Sequence, residues 1–312
     1  MKVLVAGATG ALGRPVVRRL AAGGHDVVGL TRSPEKRALL EGLGARPVVV
    51  DALDQVALSH AVRDASPQAV LHLLTAIPQR GAFRASDLEA TNVLRARGTA
   101  NLMAAALAAG ARRFVAESIA LAYRPARDAP ATEESALETR APHPDFQPML
   151  DAVASLEEQV LGASRRGVIE GVALRYGVFY GPGVGSTDFM VGLLRRRMMP
   201  LLGGGRAVLP MIHIEDAASA TVAALEGGRA GEVYNVVDDQ PATLREFATA
   251  VAEAVGAPRP FSLPLWVARL LGSYAAIGAR MQLRVSNEKA RRELGWVPAY
   301  PTVHEGAATL RA

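Results

Sequence analysis

Three regularly spaced glycines near the start of the chain constrain its fold more than any other feature. Gly7, Gly10 and Gly13 follow directly on the apolar run Lys2–Ala6 and open a segment of helical composition. Glycines at this spacing allow a tight strand-to-helix turn and a close approach of the backbone to a pyrophosphate, which then lies at the positive end of the helix. The motif predicts a dinucleotide-binding loop that consists of Gly7, Thr9, Gly10, Ala11, Leu12 and Gly13.

Residues 1–120 alternate between short aliphatic runs and segments of helical composition. The predicted strands are residues 2–6, 26–30, 47–50, 69–74 and 113–116. The predicted helices between them are residues 12–22, 34–41, 54–65 and 86–109. Repeated strand–helix units of this kind form a parallel sheet that is covered on both faces, because their crossovers are right-handed. The pattern predicts an α/β fold with a doubly wound parallel sheet of the Rossmann type.

The second half of the chain is less regular. Residues 124–147 contain four prolines and no periodicity, and glycine-rich stretches flank a second irregular region at 181–205. Long irregular loops in such folds tend to bind ligands. We therefore predict a dinucleotide-binding domain at residues 1–180 and a smaller, mainly substrate-capping domain at residues 181–312, with strand segments near 211–237 returning to the sheet region.

The basic residues of the chain are mostly scattered arginines. Arginine supplies 32 of the 35 basic residues, and the formal net charge is +5. Aromatic residues make up only 5 % of the chain and do not gather near the arginines. A nucleic-acid-binding surface would favour a concentrated basic stripe with stacking aromatics. We predict no nucleic-acid partner, and an anionic small ligand is the better use for a few of the arginines.

Several function classes are excluded by what the chain lacks. It has no cysteine, which excludes thiol nucleophiles, disulfides, iron–sulfur clusters and cysteine zinc sites. Its six histidines and its carboxylates show no close ligand spacing, so we predict no metal. No apolar run approaches the roughly 20 residues of a membrane helix, and the start of the chain does not have the pattern of a secretory signal. We expect no membrane association and a cytoplasmic location.

The end of the second predicted strand bears on the choice between NAD and NADP. An acidic residue at this place would bind the ribose 2′-hydroxyl of NAD, whereas an arginine accepts the 2′-phosphate of NADP. Here the acidic position holds Thr31, and Arg32 and Lys36 follow it. NADP is therefore favoured, and NAD stays open. Asp51 and Ala52, after the third strand, are placed to touch the adenine.

The chain resembles the extended short-chain dehydrogenases/reductases, in the group of the NAD-dependent epimerases/dehydratases. The resemblance spans nearly the whole chain, and its strength lies in the order and spacing of its parts. After the glycine loop these include Asn92-Val with Gly98-Thr99, residues 174–183 (Leu-Arg-Tyr-Gly-Val-Phe-Tyr-Gly-Pro-Gly), residues 212–217 (Ile-His-Ile-Glu-Asp-Ala) and residues 294–298 (Leu-Gly-Trp-Val-Pro). The resemblance implies hydride chemistry on a small molecule. We also expect cofactor contacts from Leu74, Thr75, Ala76, Asn92, Ser118 and Tyr176.

The catalytic residues of that family are missing from this chain. The family uses a serine or threonine with a Tyr-x-x-x-Lys pair, in which the lysine charge lowers the pKa of the tyrosine. Alignment on the helix that starts near residue 149 places Met149 and Val153 in the tyrosine and lysine positions, and a shift by one places Leu150 and Ala154 there. No lysine lies between Lys36 and Lys289. The standard acid–base pair is therefore absent.

Other side chains are candidates to replace the missing pair. Ser118 follows the fifth strand, although an ungapped match puts Ile119 in the family's hydroxyl position. Tyr176 ends the sixth strand, Tyr123 begins the proline-rich loop, and Glu117 could act as a base if it points inward. We predict Ser118, Tyr176 and Tyr123 as catalytic candidates. His72 and His213 are predicted to be structural.

Three functions remain open at this point. The first is an NAD(P)-dependent oxidoreductase that transfers hydride to or from a carbonyl or hydroxyl carbon of a small molecule, because a simple reduction needs less acid–base chemistry than epimerisation. The second is a dinucleotide-binding sensor or scaffold that has lost turnover, which the missing tyrosine and lysine suggest. The third is a nucleotide-sugar epimerase or dehydratase. Pairing into a homodimer through the helix at residues 149–161 is also expected from the resemblance.

Overall fold

A computed structural model describes residues 1–125 and 129–311. Its centre is a parallel sheet of seven strands, in the order β3-β2-β1-β4-β5-β6-β11. These strands are β1 Lys2–Ala6, β2 Asp26–Thr31, β3 Ala45–Val49, β4 Ala69–His72, β5 Arg113–Ile119, β6 Glu170–Tyr176 and β11 Val233–Val236. The remaining strands are β7 Val178–Tyr180, β8 Pro200–Leu202, β9 Val208–Leu209, β10 Met211–His213, β12 Ala242–Thr243 and β13 Phe261–Leu263.

Helices cover both faces of the sheet. They are α1 Gly13–Ala22, α2 Arg37–Gly42, α3 Gln55–Ala65, α4 Glu89–Val93, α5 Thr99–Ala108, α6 Gln147–Arg165, α7 Gly185–Arg195, α8 Ile214–Gly227, α9 Leu244–Ala254, α10 Ala268–Leu271, α11 Ser273–Gly278, α12 Glu288–Leu294 and α13 Val303–Ala308. One apolar core packs α1 and α8 against one face of the sheet, and a second packs α3, α5 and α6 against the other. Strands buried on both faces explain the continuous aliphatic runs in the sequence.

The structure confirms the predicted α/β class and the doubly wound sheet. Strand order reverses between β1 and β4, and the carboxyl ends of the strands at such a point form a ligand crevice. The predicted long helix at 86–109 is interrupted: a π-helical turn, Leu94–Gly98, separates α4 from α5. This turn lies beside the crevice and bears on the site described below.

The C-terminal part forms its own small core, in which Tyr180, Phe247 and Val251 pack together. Of the two segments expected to return to the sheet, β11 pairs with β6, whereas β10 pairs with β7 in a separate two-stranded sheet. β10 thus lies outside the main sheet, because β7 follows directly on β6 and takes β10 as its partner. The domain boundary at residue 180 stays a prediction. Within the described ranges, no helix has the length and apolar character needed to cross a membrane.

Candidate active site

A narrow cleft of about 200 Å³ lies at the carboxyl ends of β1, β2 and the strands beside them. The predicted residues that line it are Gly7, Thr9, Gly10, Arg32, Lys36, Asp51, Ala52, Leu74 and Thr75. Six residues that were not predicted from the sequence also line it, namely Leu30, Thr31, Ser33, Val50, Leu73 and Leu94. Most of these residues are chain neighbours of predicted ones. Leu94 is different, because it comes from the π-helical turn, which the helical pattern does not reveal.

The glycine loop is shaped for a phosphate. Gly7 has a φ of +93°, and a Cβ built on it would lie 2.2 Å from the carbonyl oxygen of Leu73. Only glycine therefore fits this turn. Helix α1 begins at Gly13 with no side-chain cap and no acidic residue in its first turn. The Ala11, Leu12 and Gly13 amides, at the entry to the helix, have no backbone acceptor in the described structure and are left for an anion. The loop fits the pyrophosphate of a dinucleotide, which Gly7, Gly10 and the start of α1 would hold.

The far end of the cleft carries positive charge and one carboxylate. Arg32 and Lys36 are both exposed at the cleft and follow β2. Asp51 uses one carboxylate oxygen to accept the Leu53 amide at 2.9 Å, which fixes its side chain at the cleft edge. Thr31 is buried, and its hydroxyl accepts the Ser33 amide at 3.2 Å. The two cations therefore lie where the ribose 2′ position of a dinucleotide would be expected.

Some predicted cofactor contacts are not placed in the cleft lining. Ala11, Leu12 and Gly13 continue the loop into α1 without lining the cleft. The Ala76 amide donates to the Thr91 hydroxyl at 2.9 Å instead of facing the cleft. Asn92 lies on α4, and its Oδ1 is buried with no hydrogen-bond partner in the described structure. Cofactor contacts from these residues stay predictions.

A second and larger cavity, of about 1070 Å³, lies between the start of α6 and the segment 269–284. Its apolar wall consists of Leu121, Phe146, Met149, Leu150, Ile277 and Met281. Its polar wall includes Glu138, His143, Asp145, Arg269, Arg280 and Arg284. The volume is at the upper end for a small-molecule pocket. Met149 and Leu150, the residues that align with the missing tyrosine, thus present an apolar surface to this cavity.

Tyr123 and Ser118 belong to a buried polar network. Arg175 donates to both oxygens of Glu157, from Nε at 2.8 Å and from Nη2 at 2.6 Å. Ser118 donates its hydroxyl to the same carboxylate at 2.6 Å. Arg175 Nη1 also donates to the Tyr123 hydroxyl at 2.7 Å, which in turn donates to Asn235 at 2.8 Å. Both candidate hydroxyls are therefore engaged by protein partners.

The charges in this network explain the pKa shifts within it. Burial lowers the pKa of Arg175, but the hydrogen bonds and charge of Glu157 outweigh burial and raise it above its ordinary value. Burial raises the pKa of Tyr123, against the opposing effect of Arg175. A proton transfer from Tyr123 is therefore unfavourable near neutral pH. Tyr123 borders the larger cavity, whereas Ser118 lines neither cavity.

Tyr176 does not lie at the cavity. Its side chain is 1 % exposed, its hydroxyl shares a hydrogen bond of 2.7 Å with Thr221 on α8, and burial raises its pKa. It lines neither the cleft nor the larger cavity. The expectation that Tyr176 touches substrate and cofactor is thus not met by the geometry, because the strand turns this side chain into the core with α1 and α8. His72 and His213 are buried and hydrogen-bonded, as predicted.

Two buried charged side chains lie near the cleft, although neither of them lines the cleft or the larger cavity. Arg95 is on the π-helical turn, one residue after Leu94 of the cleft, and only 3 % of it is exposed. Glu117 is on β5 and is 7 % exposed. Glu117 was predicted from the sequence as a candidate base, whereas no sequence signal pointed to Arg95. In residues 1–125 and 129–311, no group of three or more histidine or carboxylate side chains is arranged to hold a metal ion.

Comparison with known proteins places the chain in a family. Residues 3–237 match the family model described as the NAD dependent epimerase/dehydratase family. The chain is similar to a 3-diazoavenalumate denitrifying reductase of a Streptomyces species, with 39 % identity over 98 % of this chain and 99 % of the relative. It is also similar to the 2-alkyl-3-oxoalkanoate reductase of Stenotrophomonas maltophilia, with 29 % identity over 100 % and 99 % of the two chains.

A solved structure agrees with this placement at the level of the fold. The UDP-glucose 4-epimerase of Thermus thermophilus in complex with NAD superposes with a TM-score of 0.82 at 22 % identity, and the match covers 100 % of this chain and 99 % of that one. The family match, the named reductases and the Rossmann cleft agree with one another. The chain therefore belongs to the NAD-dependent epimerase/dehydratase family and is an NAD(P)-dependent enzyme of the oxidoreductase and epimerase type.

Proposed function

We propose that the protein is an NADPH-dependent reductase of a small molecule that has an apolar body and an anionic group. One combination of features supports the proposal: the cations Arg32 and Lys36 line the glycine-loop cleft, and the wall of the larger cavity is apolar at Met149 and Leu150, where the family has its tyrosine. The cofactor would supply the hydride. Gly7, Gly10 and the start of α1 would hold its pyrophosphate, and Arg32 and Lys36 would hold the 2′-phosphate.

Replacing Arg32 by alanine tests the choice of cofactor. We expect Arg32→Ala to weaken NADPH binding by about tenfold, because a charge-assisted bond to the phosphate is lost. NADH lacks that phosphate, so its affinity should change little. Titration of the purified protein with each cofactor, read by cofactor fluorescence, measures both affinities. Arg37→Ala is the matched control, since Arg37 is exposed on α2 and does not line the cleft. Equal losses for NADPH and NADH would refute the 2′-phosphate contact.

The anionic group of the substrate is inferred from three arginines. Arg269, Arg280 and Arg284 all border the larger cavity. Glu138, on the same cavity, pairs with Arg124 at 3.7 Å, whereas no described carboxylate lies within 4.0 Å of these three arginines. Unpaired guanidinium groups beside an apolar wall suit a carboxylate on an apolar body. Two of the relatives are named for carboxylates, a diazoavenalumate and an oxoalkanoate.

A panel of arylalkyl carboxylates and their neutral amides tests this inference. We expect some of the acids to bind the NADPH-loaded protein at least about tenfold more tightly than the matching amides, since only the acids attract the guanidinium groups. Calorimetric titration gives both affinities. The paired change Arg280→Gln and Arg284→Gln should remove the difference, whereas Arg195→Gln on α7, outside the cavity, should preserve it. Acids and amides of equal affinity would rule out the anionic site.

The other functions have distinct outcomes in the same experiments. A sensor or scaffold would bind the cofactor but oxidise no NADPH with any carbonyl compound that binds the cavity. An epimerase would need an acid–base group that works in both directions, and Met149 and Leu150 provide none. A cytoplasmic location and pairing into a homodimer through α6 remain parts of the proposal that size-exclusion and fractionation experiments can test.

A further inference from the structure

Arg95 and Glu117 form a buried charged pair that the proposed function has not yet used. Arg95 is 3 % exposed and Glu117 is 7 % exposed. Burying charged groups is costly unless they are paired and hydrogen-bonded. Two buried charged groups are therefore expected either to bond each other or other protein groups, or to bind a ligand.

The pair is not bonded internally. Among described residues, neither Nε nor Nη1 of Arg95 has a hydrogen-bond partner. The charged atoms of Arg95 and Glu117 lie more than 4.0 Å apart, so they form no direct ion pair. Within residues 1–125 and 129–311, the charge of Arg95, at a distance, is the one interaction that favours the Glu117 carboxylate. Both groups therefore retain free bonding capacity beside each other.

The backbone that carries Arg95 is itself unusual. Residues Leu94–Gly98 form a π-helical turn between α4 and α5. Such turns are rare and are found frequently at functional sites. The Thr99 hydroxyl donates to the Arg95 carbonyl oxygen at 2.5 Å and also contacts His72 at 2.8 Å, which fixes the turn against β4. The position of Arg95 is thus held by the fold.

Both groups are neighbours of residues that line the cleft, although neither group lines the cleft or the larger cavity. In the pairing of β4 with β5, Ala116 is opposite His72, so Glu117 is level with Leu73, which lines the cleft. Arg95 follows Leu94 of the cleft and lies within electrostatic range of Tyr274. The Tyr274 ring stacks on Phe146, which lines the larger cavity.

We propose that Glu117 and Arg95 are the acid–base site of the reductase and lie at the nicotinamide end of the cleft, where they replace the missing tyrosine and lysine. The inference rests on the proposed function. As hydride arrives at the substrate's electrophilic atom, the Glu117 O–H bond breaks and its proton goes to the neighbouring oxygen or nitrogen of the substrate. The Glu117 carboxylate that remains is stabilised by Arg95 and regains a proton from water.

The surroundings of Glu117 suit a proton donor at neutral pH. Burial raises the pKa of Glu117 to about 7, and the charge of Arg95 opposes this rise. Tyr176 on β6 faces it as a neutral phenol, because burial raises the pKa of that tyrosine. Burial and the charge of Arg95 lower the pKa of His72, on β4, to about 4, so His72 is neutral as well. Arg95 is therefore the principal charge that acts on Glu117.

The test measures proton exchange on cofactor binding and needs no substrate. The oxidised nicotinamide ring carries a positive charge and the reduced ring does not. A positive charge beside Glu117 favours its carboxylate form, so NADP⁺ should release a proton that NADPH does not. With a pKa of about 7, Glu117 is about half protonated at neutral pH. We expect NADP⁺ to release up to about half a proton more than NADPH. Calorimetry in buffers of different ionisation enthalpy measures this number, and the 2′-phosphate is common to both cofactors.

Three variants assign the proton. Glu117→Gln should abolish the difference between NADP⁺ and NADPH. Arg95→Met should raise the pKa of Glu117, so the pH at which proton release is largest should move upward. Asp238→Asn is the matched control: burial raises the pKa of Asp238 to about 7 too, but its carboxylate accepts a hydrogen bond from Tyr180 at 2.9 Å, in the separate C-terminal core. This control should keep the full difference.

The outcomes separate the two proposals. Equal proton exchange for NADP⁺ and NADPH in the unaltered protein, with both cofactors bound, would overturn the assignment of Glu117 and leave the reductase proposal standing. A difference that persists in Glu117→Gln would overturn it as well. Binding of neither cofactor would overturn both proposals. Equal proton exchange would be seen with the unaltered protein alone, so the assignment of Glu117 can be overturned even if a variant fails to fold.

Discussion

Glu157→Gln is expected to lower the free energy of unfolding by about 3–5 kcal/mol, because it leaves the Arg175 charge buried without its partner. Both side chains of this pair are 7 % exposed. Arg175 donates two hydrogen bonds to Glu157 and a third to Tyr123. Ser118 also donates a hydrogen bond to the Glu157 carboxylate. Glutamine preserves the shape but removes the charge. Denaturant unfolding followed by circular dichroism measures the loss.

The neighbouring residue is the control for this prediction. Glu158 pairs with Arg165 at 2.7 Å, but both side chains are exposed, so Glu158→Gln should change stability by less than about 0.5 kcal/mol. The double change Glu157→Met with Arg175→Met should recover much of the loss, because no charge is then left unpaired. A Glu157→Gln protein as stable as Glu158→Gln would show that the network does not hold β5, β6 and α6 together.

Gly7→Ala is expected to abolish cofactor binding at concentrations that saturate the unaltered protein. The φ of +93° costs any other residue about 1–3 kcal/mol. In addition, the new Cβ would lie 2.2 Å from the Leu73 carbonyl oxygen and 2.6 Å from its carbon. Both are backbone atoms, so the contact is relieved only if β4 or the glycine loop moves. Such a movement distorts the cleft between Gly7 and Leu73. Cofactor fluorescence and the thermal midpoint report the two effects.

Gly42→Ala separates this effect from the general cost of replacing a glycine. Gly42 lies at the end of α2 and has open space around the position of a Cβ. Alanine there should be neutral or slightly stabilising, and cofactor affinity should not change. If Gly7→Ala bound NADPH as tightly as Gly42→Ala does, the close approach of Gly7 to Leu73 would have no role in forming the cleft.

The main sheet could be predicted because its signals are local. Gly7, Gly10 and Gly13 mark the first turn, and strands buried on both faces are continuous aliphatic runs, such as Lys2–Ala6. Arg32 and Asp51 could be placed at the cleft because the ends of neighbouring parallel strands meet at one edge. The absence of the usual tyrosine and lysine could also be established from the sequence, since it depends only on residue identity and spacing.

The polar interior could not be predicted in the same way. Whether Tyr176 faces the cavity or α8 depends on which side of the sheet the strand presents, and a single residue of register reverses the answer. Arg175 and Glu157 look like surface charges in the sequence, and only the packing of α6 on β6 brings them together. The buried position of Arg95 could not be predicted for another reason. A π-helical turn has the same composition as an α-helix, so periodicity predicts one continuous helix there.

The π-helical turn has a consequence for how such an enzyme can change. Each residue of an α-helix advances the side chains by about 100° around the axis. Deleting one residue from Leu94–Gly98 would restore regular winding and rotate everything on one side of the deletion by that angle relative to the other side. A change of one residue in the length of this turn can therefore move the Arg95 guanidinium into or out of the protein interior. A one-residue deletion at this turn would therefore change the surroundings of Arg95 without replacing any other residue of the site.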